Sequence, residues 1–277
     1  MRNLPIVIVV VAALMLAAEN HLRAQGRAGQ TPPAPPTPRT LPTPPLTGRA
    51  AAPIDLTGNW VSVITEDWRW RMVTPPKGDY QSVPITAEAK RVADTWDAKK
   101  DEAAGEQCRS YGAAAIMRVP GRVRISWLDD NTLKVETDAG MQTRLFYFAA
   151  SKPSEGRPTW QGDSVATWEI SAPPPAPGGG GQGADTAASR IRSGSLKVVT
   201  TRMRPGYLRK NGVPYSANAV LTEYWDVYKR GNGDQWLVVT TAVDDPKYLQ
   251  QPYLTTPNFK KEADGSKWDP TPCSATW

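Results

Sequence analysis

Two groups of residues have the types and spacing to do chemistry. The first is centred on Glu223, in the run Leu221-Thr-Glu-Tyr-Trp-Asp-Val227. Alternate residues of a strand share a face, which puts Glu223 beside Leu221, Trp225 and Val227. A carboxylate on an apolar face needs a proton or a partner, and general acids and ligand anchors are built this way. The competing reading is a buried ion pair, with Arg118, flanked by Ile116, as candidate partner. The second group is Glu66-Asp-Trp-Arg-Trp-Arg71. Indole faces and guanidinium groups suit sugars and carboxylates. Trp68, Arg69, Trp70, Arg71, Arg118 and Glu223 are therefore the candidate ligand-binding residues; no residue is assigned a catalytic role. The plainer reading of Trp68–Met72 is a half-buried strand, tryptophans on one face and arginines on the other. On such a strand Glu66 and Asp67 point apart and cannot act as one pair. Glu102 and Glu106 have the i, i+4 spacing of one helix face, but further oxygen ligands are not identifiable, so no metal site is expected. The turns at Lys77–Tyr80 and Arg204–Tyr207 could cradle an anion through backbone N–H groups, although ordinary tight turns are far commoner.

The single histidine, His21, restricts the chemistry. It lies inside a stretch, residues 1–24, that reads as a secretory signal: Arg2, an apolar run from Leu4 to Ala18, then a short polar region. The run is shorter than the ~20 residues of a membrane span, and no cysteine near the cleavage region suggests a lipid anchor. A mature chain without histidine has no Ser-His-Asp or Cys-His site and no histidine-held metal. Export also frames Cys108 and Cys273, the two cysteines. In an oxidising compartment an even pair suggests one disulfide, with two buried thiols as the alternative. The formal charge of +6 is dispersed over 33 basic and 27 acidic residues, unlike the clustered charge of nucleic-acid binders. The expected partner is a small molecule, with no cofactor, no nucleic acid and no membrane span in the mature chain; the oligomeric state stays open.

These residues must be positioned by a single β-rich domain over residues 55–277. Residues 25–54 are dense in Pro, Thr and Ala and read as a disordered spacer. Thr86 is a candidate cap for one helix near residues 86–104. Val123, Ile125 and Trp127 alternate with polar residues, Asp129-Asp-Asn131 is a turn, and Leu133, Val135 and Thr137 return. Further strands follow to Val243, with a low-complexity, disordered insert at 171–194. Val-Val-Thr-Thr followed by Pro, Tyr and Leu occurs at 198–208 and again at 238–249, as if two strands end in similar corners. Eight to ten short strands with one helix predict an antiparallel β-barrel or sandwich.

Gly58-x-Trp60 at the start of the first strand resembles the G-x-W of lipocalin-like barrels. That resemblance implies a tryptophan packed across one barrel end under an arginine, for which Arg202 or Arg204 is available. The stretches DLTGNWVS, EDWRWRM with TPPKGDY, DEAAGEQCRSYGAAAIMR, TDAGMQTRLF, DDPKYLQQPY, FKKE and PTPC make residues 55–277 similar to a family of uncharacterised exported bacterial proteins. Membership would imply export and a β-rich fold, and brings no activity. The leading functional expectation is an exported barrel binding a small amphipathic or apolar ligand. The alternatives are a histidine-independent hydrolase or isomerase using Glu and Tyr, and a structural envelope protein with a filled barrel.

Overall fold

The computed structural model describes residues 46–148, 156–171 and 193–276. The signal-like stretch, most of the spacer and nearly all of the insert lie outside the described residues. Twelve strands form among the described residues: β1 (Gly58–Val63), β2 (Arg122–Asp129), β3 (Thr132–Thr137), β4 (Thr143–Tyr147), β5 (Asp163–Ser171), β6 (Ser193–Thr201), β7 (Gly206–Tyr207), β8 (Pro214–Tyr215), β9 (Val220–Lys229), β10 (Gln235–Asp244), β11 (Tyr253–Thr255) and β12 (Asn258–Glu262). Nine of them close a barrel in the order β1-β2-β3-β4-β5-β6-β9-β10-β12, with β12 pairing back to β1. Neighbours that alternate direction all the way round a ring must be even in number. Nine therefore needs a parallel joint, and β4–β5 supplies it, through Phe146↔Ser164 and Tyr147↔Val165. β11 and β12 run in one direction along β10, interrupted at Pro257, whose carbonyl still accepts from the Val239 N–H.

The barrel follows from period-two patterning. Leu221, Glu223 and Trp225 of β9 are buried, as are Leu237, Val239 and Val243 of β10 and Leu133, Val135 and Thr137 of β3. The lumen is filled. Trp60, Trp225, Phe146, Leu196, Val198 and Leu237 are all 0 % exposed, so no water-sized void lies against them. A barrel of about eight strands is just wide enough for its own side chains. Trp60 belongs to the core cluster and its indole N–H donates to the Leu56 carbonyl at 3.0 Å. The cation above its ring is Lys261, 5.2 Å away, not the arginine that the G-x-W resemblance implies. Arg202 instead pairs with Asp163, and Arg204 stacks on Trp160, because both follow the end of β6 and lie outside the barrel wall.

Between β1 and β2 the chain builds a cap from α1 (Trp68–Arg71), α2 (Ala87–Asp94), α3 (Ala98–Ala103), a 3-10 turn (Gln107–Tyr111) and α4 (Ala113–Ile116). The β7–β8 hairpin joins it from the segment between β6 and β9. Tyr80, Ala93, Leu208, Tyr215, Leu221 and Leu249 belong to the cap's own apolar cluster. The helix expected over 86–104 is two helices. Thr86 caps the first, its hydroxyl accepting from the Ala89 N–H. Asp97 starts the second, accepting from Lys99 and Lys100, so a carboxylate that satisfies new N–H donors breaks the run. The Cys108–Cys273 disulfide joins the 3-10 turn to the C-terminal tail. Cross-linking a loop of 165 residues lowers the entropy of the denatured state by an amount worth roughly 5 kcal/mol in the chain-entropy account.

Two other expectations are corrected. Residues 46–54, the end of the supposed spacer, fold against the barrel. Gly48 N–H donates to Asn131 Oδ1, Arg49 N–H to the Asp130 carbonyl, and the Trp168 indole to the Gly48 carbonyl. The proline-dense run stops at Pro45, so backbone donors become available from there on. The supposed strand at Trp68–Met72 is one helical turn. Asp67 takes a left-handed φ of 48°, which ends the extended path from β1. The insert does interrupt two paired strands: Ser171↔Ser193 closes the β5–β6 register on either side of it.

Candidate functional site

Glu223 reaches the lumen from β9 and Arg144 from β4. The two arginine Nη atoms meet the two carboxylate oxygens at 2.9 and 2.6 Å, a bidentate pair. Arg144 is 1 % exposed and Glu223 is 0 % exposed. Arg144 Nη2 also donates to Thr200 Oγ1 at 3.3 Å, and that hydroxyl lies 2.7 Å from Ser164 Oγ. The carboxylate is thus buried and paired, but with Arg144 rather than Arg118. Sequence reasoning passed over Arg144, although it shares its strand face with buried Phe146. Both oxygens of Glu223 are occupied in a filled lumen, which makes the pair a fixture of the wall.

Arg118 belongs to the cap. It follows α4, whose residues Ala113–Ile116 are all buried. Its Nη2 is 2.9 Å from Asp67 and its Nη1 3.4 Å from Glu66. The two adjacent carboxylates therefore act together after all, because the left-handed turn at Asp67 takes them off a strand. Glu66 Oε1 also accepts from the Thr256 N–H. One helical turn on, Arg71 enters the interior at 2 % exposure. Its Nε donates to the Arg118 carbonyl at 2.8 Å. Its Nη1 and Nη2 are buried and have no hydrogen-bond partner among the described residues. Burial, then the neighbouring Arg118, pulls the Arg71 pKa down to about 10.

The opposite wall comes from the loop of the β7–β8 hairpin, Leu208–Val213, closed by the Leu208 N–H to Val213 carbonyl bond. Asn211, fully buried, fixes this loop by donating to the carbonyls of Pro76 and Asp79. Arg209 and Lys210 then point inward, each 4 % exposed. Arg209 Nη1 donates to the Gln81 carbonyl, and its Nη2 stands 3.9 Å from Asp67. The Lys210 ammonium donates to Tyr111 Oη at 2.7 Å and to the Ser274 and Thr276 carbonyls of the disulfide-tethered tail. Burial lowers its pKa to about 8. Trp70 completes the wall. Arg69 and Arg209 stack on its ring at 4.6 and 4.8 Å, and Arg69 is held by Asp79. Trp70, Arg71, Arg118, Arg209 and Lys210 line a cavity of about 20 Å³.

Comparisons with protein-family models, with curated proteins and with solved structures find no match to this chain. The site must therefore be read from its own geometry. Of the residues expected to bind, Trp70, Arg71 and Arg118 converge on the cavity. Arg69 backs it through Trp70. Trp68 is 70 % exposed and turned to solvent. Arg209 and Lys210 were missed; two basic residues before Asn-Gly read as an exposed turn, and only the anchored Asn211 turns them inward. Glu106 pairs with Arg109 and Arg204 instead of sharing a cation with Glu102, and no metal-holding cluster occurs among the described residues.

Proposed function

We propose that this is an exported barrel protein that holds a small amphipathic ligand at its capped end, against the Trp70 face and the arginines around it. The observation that carries this reading is the make-up of the cap cavity rather than its size, since larger clefts of about 560, 410 and 400 Å³ lie elsewhere. The lumen is packed solid, whereas the cap leaves a cavity walled by an indole and four cationic side chains. Aromatic faces beside guanidinium groups bind molecules with an apolar body and a polar end. Export is supported by the disulfide, which persists in oxidising compartments, and by the signal-like stretch and the resemblance to exported bacterial proteins. The filled lumen also favours a second reading, a structural envelope protein with no ligand.

Native mass spectrometry separates the two. Protein isolated from the organism that makes it is expected to carry a non-covalent adduct of defined mass, released on denaturation and absent from Trp70→Ala. A bare mass, together with no thermal shift across a panel of small amphipathic compounds, supports the structural reading and removes the first.

A further inference from the structure

We infer that the cavity receives one oxyanion, the carboxylate- or phosphate-type head group of the ligand, bound end-on by the Arg71 guanidinium. This rests on the ligand site proposed above and names the chemistry of its polar end. Arg71 is oriented before any ligand arrives. Its Nε is committed to the Arg118 carbonyl, which fixes the plane of the guanidinium. The two Nη atoms then form a fork that no described residue fills. Arginine forks match planar and tetrahedral oxyanions through two parallel N–H···O bonds.

The surrounding charge points the same way. Arg71, Arg118, Arg209 and Lys210 line the cavity. Glu66 and Asp67 offset part of this through Arg118 and Arg209. Asp79 is held by Arg69 outside. Leaving aside Lys210, whose ammonium is held by Tyr111 Oη and the tail carbonyls, the four arginines Arg69, Arg71, Arg118 and Arg209 exceed Glu66, Asp67 and Asp79 by one. An uncompensated buried charge is costly, and an oxyanion between Arg71 and Arg209 removes that cost. Size sets the limit. A cavity of about 20 Å³ has room for little more than one water-sized group. It admits an oxygen of the head group and leaves the rest of the ligand outside, beside Trp70 and Arg69.

The test uses the disulfide-intact protein and isothermal titration with five probes: octanoate, octanamide, acetate, inorganic phosphate and sulfate. Octanoate is expected to bind at least about tenfold more tightly than octanamide, the difference that charge-assisted bonds give. Comparing acetate with phosphate and sulfate tells a planar head from a tetrahedral one. Arg71→Gln is expected to abolish the preference for octanoate over octanamide. Arg209→Gln, which leaves the Arg71–Arg118 contact intact, is expected to weaken octanoate at least about threefold. Equal binding of octanoate and octanamide overturns the oxyanion inference and leaves the amphipathic site standing. No binding by any of the four anions also overturns it, and if octanamide fails as well, the ligand site falls with it.

Discussion

Arg144 and Glu223 show what a single pair does in a sealed interior. Each would be costly alone at this depth; together they make two hydrogen bonds, at 2.9 and 2.6 Å, that satisfy four polar atoms. Removing one partner leaves the other charge stranded, which costs about 3–5 kcal/mol, whereas replacing both with apolar side chains is often neutral. Glu223→Gln is therefore expected to lower unfolding free energy by about that amount in urea titrations, and Arg144→Met with Glu223→Leu to recover most of it. A loss under about 1 kcal/mol for Glu223→Gln is the value of an exposed pair, and would mean that water reaches these groups in solution. Arg71 makes the contrast within the same molecule. It is as deeply buried and lines the cap cavity, but its two Nη atoms have no hydrogen-bond partner among the described residues.

At the scale of elements, the β7–β8 loop delivers two of the cavity's cations, and its shape depends on Gly212. This residue has φ +81°, and a Cβ there would lie 2.2 Å from Trp96 Cβ. Gly233, in the β9–β10 hairpin, has φ +89° and open space around it. Gly233→Ala is expected to cost the left-handed backbone term alone, about 1–2 kcal/mol. Gly212→Ala is expected to cost clearly more in thermal unfolding, and equal losses would show that Trp96 yields freely. Much of this scale was legible in the sequence. Alternation in Val123–Trp127, Leu133–Thr137 and Leu221–Val227 named the strands and the inward faces, since burial on one side of a pleat leaves a period of two. Trp68–Met72 misled because four residues of alternating type fit a strand or a helical turn equally well. The left-handed Asp67 that decides between them is set by its ion pair with Arg118, 51 residues away. Likewise, nothing local marks Arg144 as the partner of Glu223; ring closure brings them together across 79 residues.

At the scale of the whole molecule, one barrel carries its polar space outside its wall. The disulfide holds the tail whose carbonyls receive Lys210, so the cap and the C-terminus form one unit around the cavity. The odd strand number has its own consequence. Eight of the nine joints in the ring are antiparallel, and the ninth, β4–β5, is parallel and registers only two residue pairs. Parallel ladders are slightly weaker per residue. The ring thus has a built-in seam. Amide exchange read by mass spectrometry should run faster at Tyr147 and Val165 than anywhere in the ten-pair β9–β10 ladder; uniform protection around the ring would count against it. Arg144 and Ser164 flank this seam. If it parts, the buried charges are the first interior groups to hydrate, so the barrel breathes where water finds polar company.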